Sequence, residues 1–223
     1  MAIEPLTPER RRRQTREYLL QAAEQVFATR GFHGASLDEV AAVAGFTKGA
    51  VYSNFKNKED LFLALMEFHA EQQMDALRSA LAESEVTGDD DLGRFAALIR
   101  SQFSDWGTWG RLSEEFRLYA MRNDEARAAL ARKEQQDIDA IAQLIEAERK
   151  RHGYDIDEPP VHLARIVVAL TSGLFGMRLI DPDAVDDALV ETTLSFIARA
   201  MTPPGRPSGD KAPTVRSRRR TPR

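Results

Sequence analysis

Cysteine is absent from all 223 residues, which removes disulfide frameworks, zinc ribbons, thiol nucleophiles and redox pairs in one step. A reducing cytoplasm is the address this absence implies. Glycine and proline stay at ordinary levels, 13 and 10 residues, so collagen-like and low-complexity chains are excluded. Uninterrupted apolar runs are missing as well. No charged-then-apolar segment opens the chain, and its most apolar stretch, residues 161–180, is broken by His162, Arg165, Thr171, Ser172 and Arg178. Neither secretion nor a membrane span is expected. Catalytic signatures are equally scarce: there is no nucleotide-binding glycine fingerprint, phosphate loop, His-Glu-x-x-His pair or nucleophile elbow. The four histidines, His33, His69, His152 and His162, never fall three or four apart, so no helical metal pair forms. Glu114-Glu115 and Asp186-Asp187 read as solvated pairs. No catalytic residue, metal or cofactor is expected, and the chain does not read as an enzyme.

What remains is a globular chain, 43% hydrophobic and 30% charged, large enough for one big domain or two modest ones. Its net charge of −4 divides unevenly: residues 1–60 carry +1, residues 61–201 carry −11 and residues 202–223 carry +6. A body at −11 repels a polyanion, so any nucleic-acid contact belongs near the ends.

Helical periodicity runs through most of the chain. Leu19, Leu20, Ala23, Val26 and Phe27 line one face of a first helix that a basic turn and Gly31 bring to a stop. Ser36-Leu37-Asp38-Glu39 has the form of a capping box, followed by Val40, Ala41 and Ala44 as the buried face of a short helix. Gly45 ends that helix, Phe46 anchors the turn, and Thr47 opens a third helix with Val51 and Phe55 inward and Lys48, Gly49 and Tyr52 outward. Asn57 caps a fourth helix running to about residue 83. Beyond Gly88 the pattern predicts helices at about 89–105, 111–122, 124–152, 159–180 and 182–201. The expected fold is all-α with about nine helices and no strand. It divides into an N-terminal three-helix helix-turn-helix domain with a basic arm (1–56), a helical body (57–201), and a disordered basic tail (202–223).

Two short helices joined by a glycine turn form a helix-turn-helix, whose second helix presents its outer face to the DNA major groove. Phe27, Gly31-Phe32, Ser36, Val40-Ala41, Ala44-Gly45, Lys48, Gly49, Tyr52, Phe55 and Lys58 stand at matching spacings in the tetracycline-repressor (TetR) family of bacterial transcriptional regulators. The chain strongly resembles that family over about residues 14–66, and in architecture only thereafter. The resemblance implies a DNA-binding regulator, usually a repressor, that a small-molecule effector releases from a near-palindromic operator, with 57–201 as the effector-binding and dimerisation domain.

Physical roles follow for the matched positions. Ser36 and Thr47 stand at helix starts, where free amides and a hydroxyl grip a phosphate oxygen. Lys48 offers a cation, Gly49 removes a side chain from the line of approach, and Tyr52 offers a hydroxyl one turn on. Asn54 or the Ala50 methyl is placed for a base edge, and Lys58 is placed to close on the DNA backbone. Arg13, within the Arg10–Arg13 run that precedes and opens the first helix, is expected to add a phosphate or minor-groove contact.

Residues 161–180 are apolar nearly all round, so that helix must be covered on two faces. Leu170, Leu174, Phe175, Leu189, Phe196 and Ile197 are the expected homodimer interface, a four-helix arrangement that sets two recognition helices on double-stranded DNA. Phe62, Met66, His69, Phe103, Trp106, Trp109, Phe116 and Tyr119 form an aromatic cluster where the family resemblance implies an effector cavity. The rival reading is a helical small-molecule binding or catalytic domain with a vestigial helix-turn-helix. Retained Lys48, Tyr52 and Lys58 argue against it.

Overall fold

The computed structural model describes residues 7–87, 107–153 and 157–201. The expected helix at 89–105, Phe103, Trp106 and the basic segment 202–223 lie outside the described residues. Eight helical segments and no strand occur among the described residues: α1 (Pro8–Gly34), α2 (Leu37–Ala44), α3 (Lys48–Asn54), α4 (Lys58–Thr87), α5 (described over 107–120), α6 (Asp124–His152), α7 (Pro160–Ile180) and α8 (Asp187–Met201).

Local capping chemistry sets most boundaries. The Thr7 hydroxyl accepts from the Arg10 amide at the start of α1, so Arg10 to Arg13 lie within the first helix rather than in an arm ahead of it. Gly31 breaks α1 at φ 68°, ψ 172°, a backbone region that essentially only glycine occupies. The α2 capping box is present in both directions, Ser36 Oγ accepting from the Glu39 amide while the Glu39 carboxylate accepts from the Ser36 amide, each at 3.2 Å. Asn57 Oδ1 accepts from the Asp60 amide at 2.8 Å at the head of α4. Asn123 and Gly153 bracket α6, the first through its side chain and the second in a left-handed conformation.

The last helix starts later than expected, at Asp187 rather than Pro182. Asp181 caps Ala184 at 3.0 Å and Asp186 caps Leu189 at 2.8 Å, so the chain caps twice, and buried Val185 anchors the turn between.

One buried apolar cluster runs from Leu19, Phe27 and Phe32 of α1 through Val40, Val51 and Phe55 to Leu61, Phe62 and Leu65 of α4. It continues into Leu112 and Phe116 of α5 and Ala126 and Leu130 of α6. The first turns of α4 thus share a core with the helix-turn-helix. A second cluster, Val167 with Val190, Leu194 and Ile197, joins α7 to α8. Along the rest of α7 the apolar surface is largely open: Ile166, Leu170 and Met177 are exposed. By length and composition α7 is the one described helix that reaches the membrane-spanning range, and only 17% of its most apolar stretch is buried.

Candidate nucleic-acid interface

The α2–α3 turn is built from the backbone outward. Gly45 adopts the left-handed conformation, φ 70° and ψ 24°, and its amide returns to the Ala41 and Ala42 carbonyls. The Phe46 amide bonds the Ala41 carbonyl at 3.0 Å, and its half-buried ring lies 6.4 Å from Tyr18. Buried Val51 and Phe55 seat α3 on the core, and the Arg16 guanidinium covers the Phe55 ring at 4.7 Å.

The outer face of α3 is then open. Thr47 is its N-cap, the hydroxyl accepting from the Ala50 amide at 3.3 Å, and Ser36 holds the same position on α2. Tyr52 is 56% exposed. Gly49 has an ordinary helical conformation, and a Cβ placed there meets only the Thr47 hydroxyl, at 3.8 Å. The fold itself therefore does not require glycine at 49, although glycine costs a helix about 0.8–1.0 kcal/mol against alanine. A gap kept on an exposed face suits a surface that docks closely on something else. Half-buried Ala50 lies beside it.

Three expected contacts sit differently. Lys58 Nζ donates to the His33 and Ala35 carbonyls, both at 3.1 Å, and lies 4.9 Å from the Phe32 ring centre. It clamps the α1–α2 connection to α4 rather than standing free for a phosphate. The Asn54 amide nitrogen donates to the Ala50 carbonyl at 2.8 Å, which turns that group onto its own helix. Arg13 is exposed and pairs with Glu17 one turn on at 3.1 Å. Lys48 is exposed as expected, but its ammonium is held by Asp38 of α2, which raises the Lys48 pKa chiefly by hydrogen bonding. Sequence reasoning missed that partner, because a pair ten residues apart is set by the angle of the turn.

Behind this face, the described members of the aromatic cluster come together. Phe62 and Phe116 have no exposed surface and lie 4.7 Å apart, with Trp109 stacked 5.7 Å from Phe62. Met66 packs against the same core, and the His69 ring lies 4.1 Å from Trp109. Burial lowers the His69 pKa against the opposing pull of Glu24, whose carboxylate stands 3.3 Å away. Tyr119 faces the helix-turn-helix. Its ring lies 5.0 Å from Phe32, its hydroxyl donates to Glu59 at 2.7 Å, and that bond raises its pKa. Phe62 and Phe116 are therefore packed core, while Met66, His69 and Trp109 are only half-buried beside them.

The Glu114-Glu115 pair is not merely solvated. Glu115 accepts from the Phe32 amide at 2.7 Å, and Glu114 lies 3.8 Å from Arg117. On the expected subunit interface, Leu170, Leu189 and Phe196 are exposed, while Leu174 and Phe175 pack partly on the second cluster. Ile197 is buried in that cluster instead, because neighbours on a helix point about 100° apart.

Comparison with known proteins finds relatives of these features. Residues 19–65 match the family described as bacterial regulatory proteins, tetR family. The HTH-type transcriptional activator FasR of Mycolicibacterium smegmatis is 36% identical over 92 residues, 41% of this chain and 40% of that protein. The HTH-type transcriptional repressor NemR of Escherichia coli K12 is 28% identical over 164 residues, 71% of this chain and 81% of that protein. The FadR regulator of Bacillus subtilis, solved in complex with stearoyl-CoA, shares the fold at a TM-score of 0.64 and 17% identity, over 82% of this chain and 98% of that one.

Proposed function

We propose that the chain, whose residues 19–65 match the tetR family of bacterial regulatory proteins, is a dimeric, sequence-specific transcriptional repressor released from its operator by a small molecule. The observation that carries the reading is the α3 face. Thr47, Lys48 and Tyr52 stand exposed around a glycine that nothing inside the fold requires. A helix so furnished grips phosphates at its first turn and lets its backbone approach the bases.

The open face of α7 and α8 supports the dimer. Ile166, Leu170, Gly173 and Met177 follow one another at helical spacing, and Leu189 and Phe196 add the matching edge of α8. A second copy of the same face covers this surface by two-fold symmetry. Two α3 helices then read a near-palindromic double-stranded operator, with residues 1–56 as the reading unit and 57–201 as the body.

The aromatic cluster is the route by which the body acts on DNA. Phe62 and Met66 of α4, Trp109 and Phe116 of α5, and Phe27 and Phe32 of α1 share one core. Each fully buried aromatic contributes roughly 1.5–3 kcal/mol, so helices this firmly joined move together. A small molecule seated against Met66, His69 and Trp109 shifts the spacing of the reading heads only as far as it binds one spacing better than the other. The kinship of fold with a stearoyl-CoA-bound regulator supports a body able to admit an organic ligand.

A selection from fragmented genomic DNA with purified full-length protein, followed by anisotropy on the enriched fragment at two salt concentrations, tests the reading. The expected result is a near-palindromic sequence preferred over random DNA at both salts. Weak, salt-erased binding with no enriched sequence overturns it.

A further inference from the structure

We propose that Asp38 is a specificity-determining residue of the DNA interface, because its pair with Lys48 must break before that cation engages a closely docked operator. The proposal rests on the reading of α3 as the recognition helix. Lys48 and Asp38 are joined across the α2–α3 turn, with 67% and 49% of their side chains exposed. The turn does not depend on this pair. Gly45 closes it, Ser36 and Thr47 cap the two helices, and Val40 and Val51 bury them. An exposed ion pair adds little to stability, so its consequence falls on whatever approaches that face.

Glu39, beside Asp38, is tied to the Ser36 hydroxyl at 3.1 Å and to Arg30 at 3.4 Å. That leaves Asp38 as the carboxylate engaged with the recognition-helix cation. Loose binding to random DNA is almost wholly electrostatic. On a loosely held random duplex the cation gains too little to break the pair, and it stays intact. At a matched site, base-edge contacts and close approach bring Lys48 onto the DNA, and the pair must break. Its cost falls mainly on the matched site, so Asp38 lowers operator affinity more than random affinity.

Full-length wild type, Asp38→Asn, Lys48→Ala and the double variant are titrated by anisotropy against the selected operator and a random duplex of equal length. Two pairs per dimer, each within the range of an exposed ion pair, give Asp38→Asn a gain of about tenfold on the operator. The gain on the random duplex is roughly threefold or less, so the ratio between the two rises. In the Lys48→Ala background the effect of Asp38→Asn disappears. Asp38→Ser must give the same readout as Asp38→Asn, which excludes an effect of the new amide, and unchanged thermal unfolding confirms that the fold is intact.

An unchanged operator-to-random ratio overturns the proposal, as does a gain that persists in full without Lys48, since that would be bulk charge alone. If wild type enriches no sequence, the regulator reading falls and this proposal with it. An operator bound with an unaltered ratio removes only the role of Asp38.

Discussion

The Glu115 carboxylate of α5 accepts a hydrogen bond from the Phe32 backbone amide at 2.7 Å, 83 residues away in sequence. The amide is exposed for this contact by the break at Gly31, where an added Cβ would lie 2.9 Å from the same carboxylate oxygen. A carboxylate of α5 thus grips the end of α1.

Removing either half of that arrangement is expected to destabilise the protein. Gly31→Ala forces a side chain into a conformation that costs of order 1–3 kcal/mol and presses it on Glu115. Glu115→Ala leaves a half-buried amide unsatisfied, about 1–3 kcal/mol. Urea unfolding should show both losses. Because the two substitutions act on one contact, the double variant is expected to lose less than the sum. Strict additivity would mean that the grip is not a shared unit.

Lys58 separates stability from DNA contact in the same way. Its ammonium ties the His33 and Ala35 carbonyls to α4, so Lys58→Met is expected to cost about 1–3 kcal/mol. The salt slope of operator binding should stay unchanged. A slope lowered by about 0.9 per subunit, the signature of a lost phosphate contact, would return Lys58 to the DNA face.

How much of this was legible in the sequence follows the range of the interactions. Ser36 with Glu39 and Asn57 with Asp60 bond within three residues, so local sequence alone marked these helix starts. The outward positions of Lys48, Gly49 and Tyr52 followed from the period of α3. Partners set by packing were not legible. Lys58 reaches back 23 and 25 residues, and Glu115 reaches 83. Phe196 and Ile197 are adjacent in sequence, yet they part between an open face and the α7–α8 core. No pattern internal to α8 states where α7 crosses it.

His69 predicts a direction of pH dependence. Burial holds its pKa below the ordinary 6.5, so the unfolded chain takes up the proton first as the medium is acidified. The stability that the neutral ring contributes is complete above 6.5 and is lost as pH falls from there toward the folded value. Glu24 from α1 opposes the shift without cancelling it, and Trp109 from α5 covers the ring. Urea midpoints measured from pH 7.5 to 5.5 should fall less steeply for His69→Gln than for wild type. Parallel curves would assign the pH dependence to other groups.

Tyr52 offers a substitution whose effects on folding and binding should diverge. Its ring is over half exposed, so Tyr52→Phe is expected to alter stability by about 0.5 kcal/mol or less. Loss of one hydroxyl contact in each proposed half-site, about 0.5–1.5 kcal/mol apiece, weakens operator binding by roughly 5- to 150-fold. Calorimetry and anisotropy on the same preparation make the comparison. Equal operator affinity would remove the hydroxyl from the interface.

Phe196 tests the covering of α7 and α8. It is 64% exposed, while Leu194 and Ile197 on the same helix are buried, so Phe196→Asp should leave the α7–α8 core intact. In a two-fold dimer the substitution acts twice. Each copy forfeits about 1.5–3 kcal/mol of aromatic burial and sets a charge in an apolar surface, which weakens association by roughly a thousandfold or more. Light scattering should show wild type at twice the 25.0 kDa chain mass and the variant at the chain mass, with helical content retained. On the proposed dimeric reading of a near-palindrome, operator affinity should fall in step. A variant that stays dimeric and binds normally would place the symmetry axis on another face.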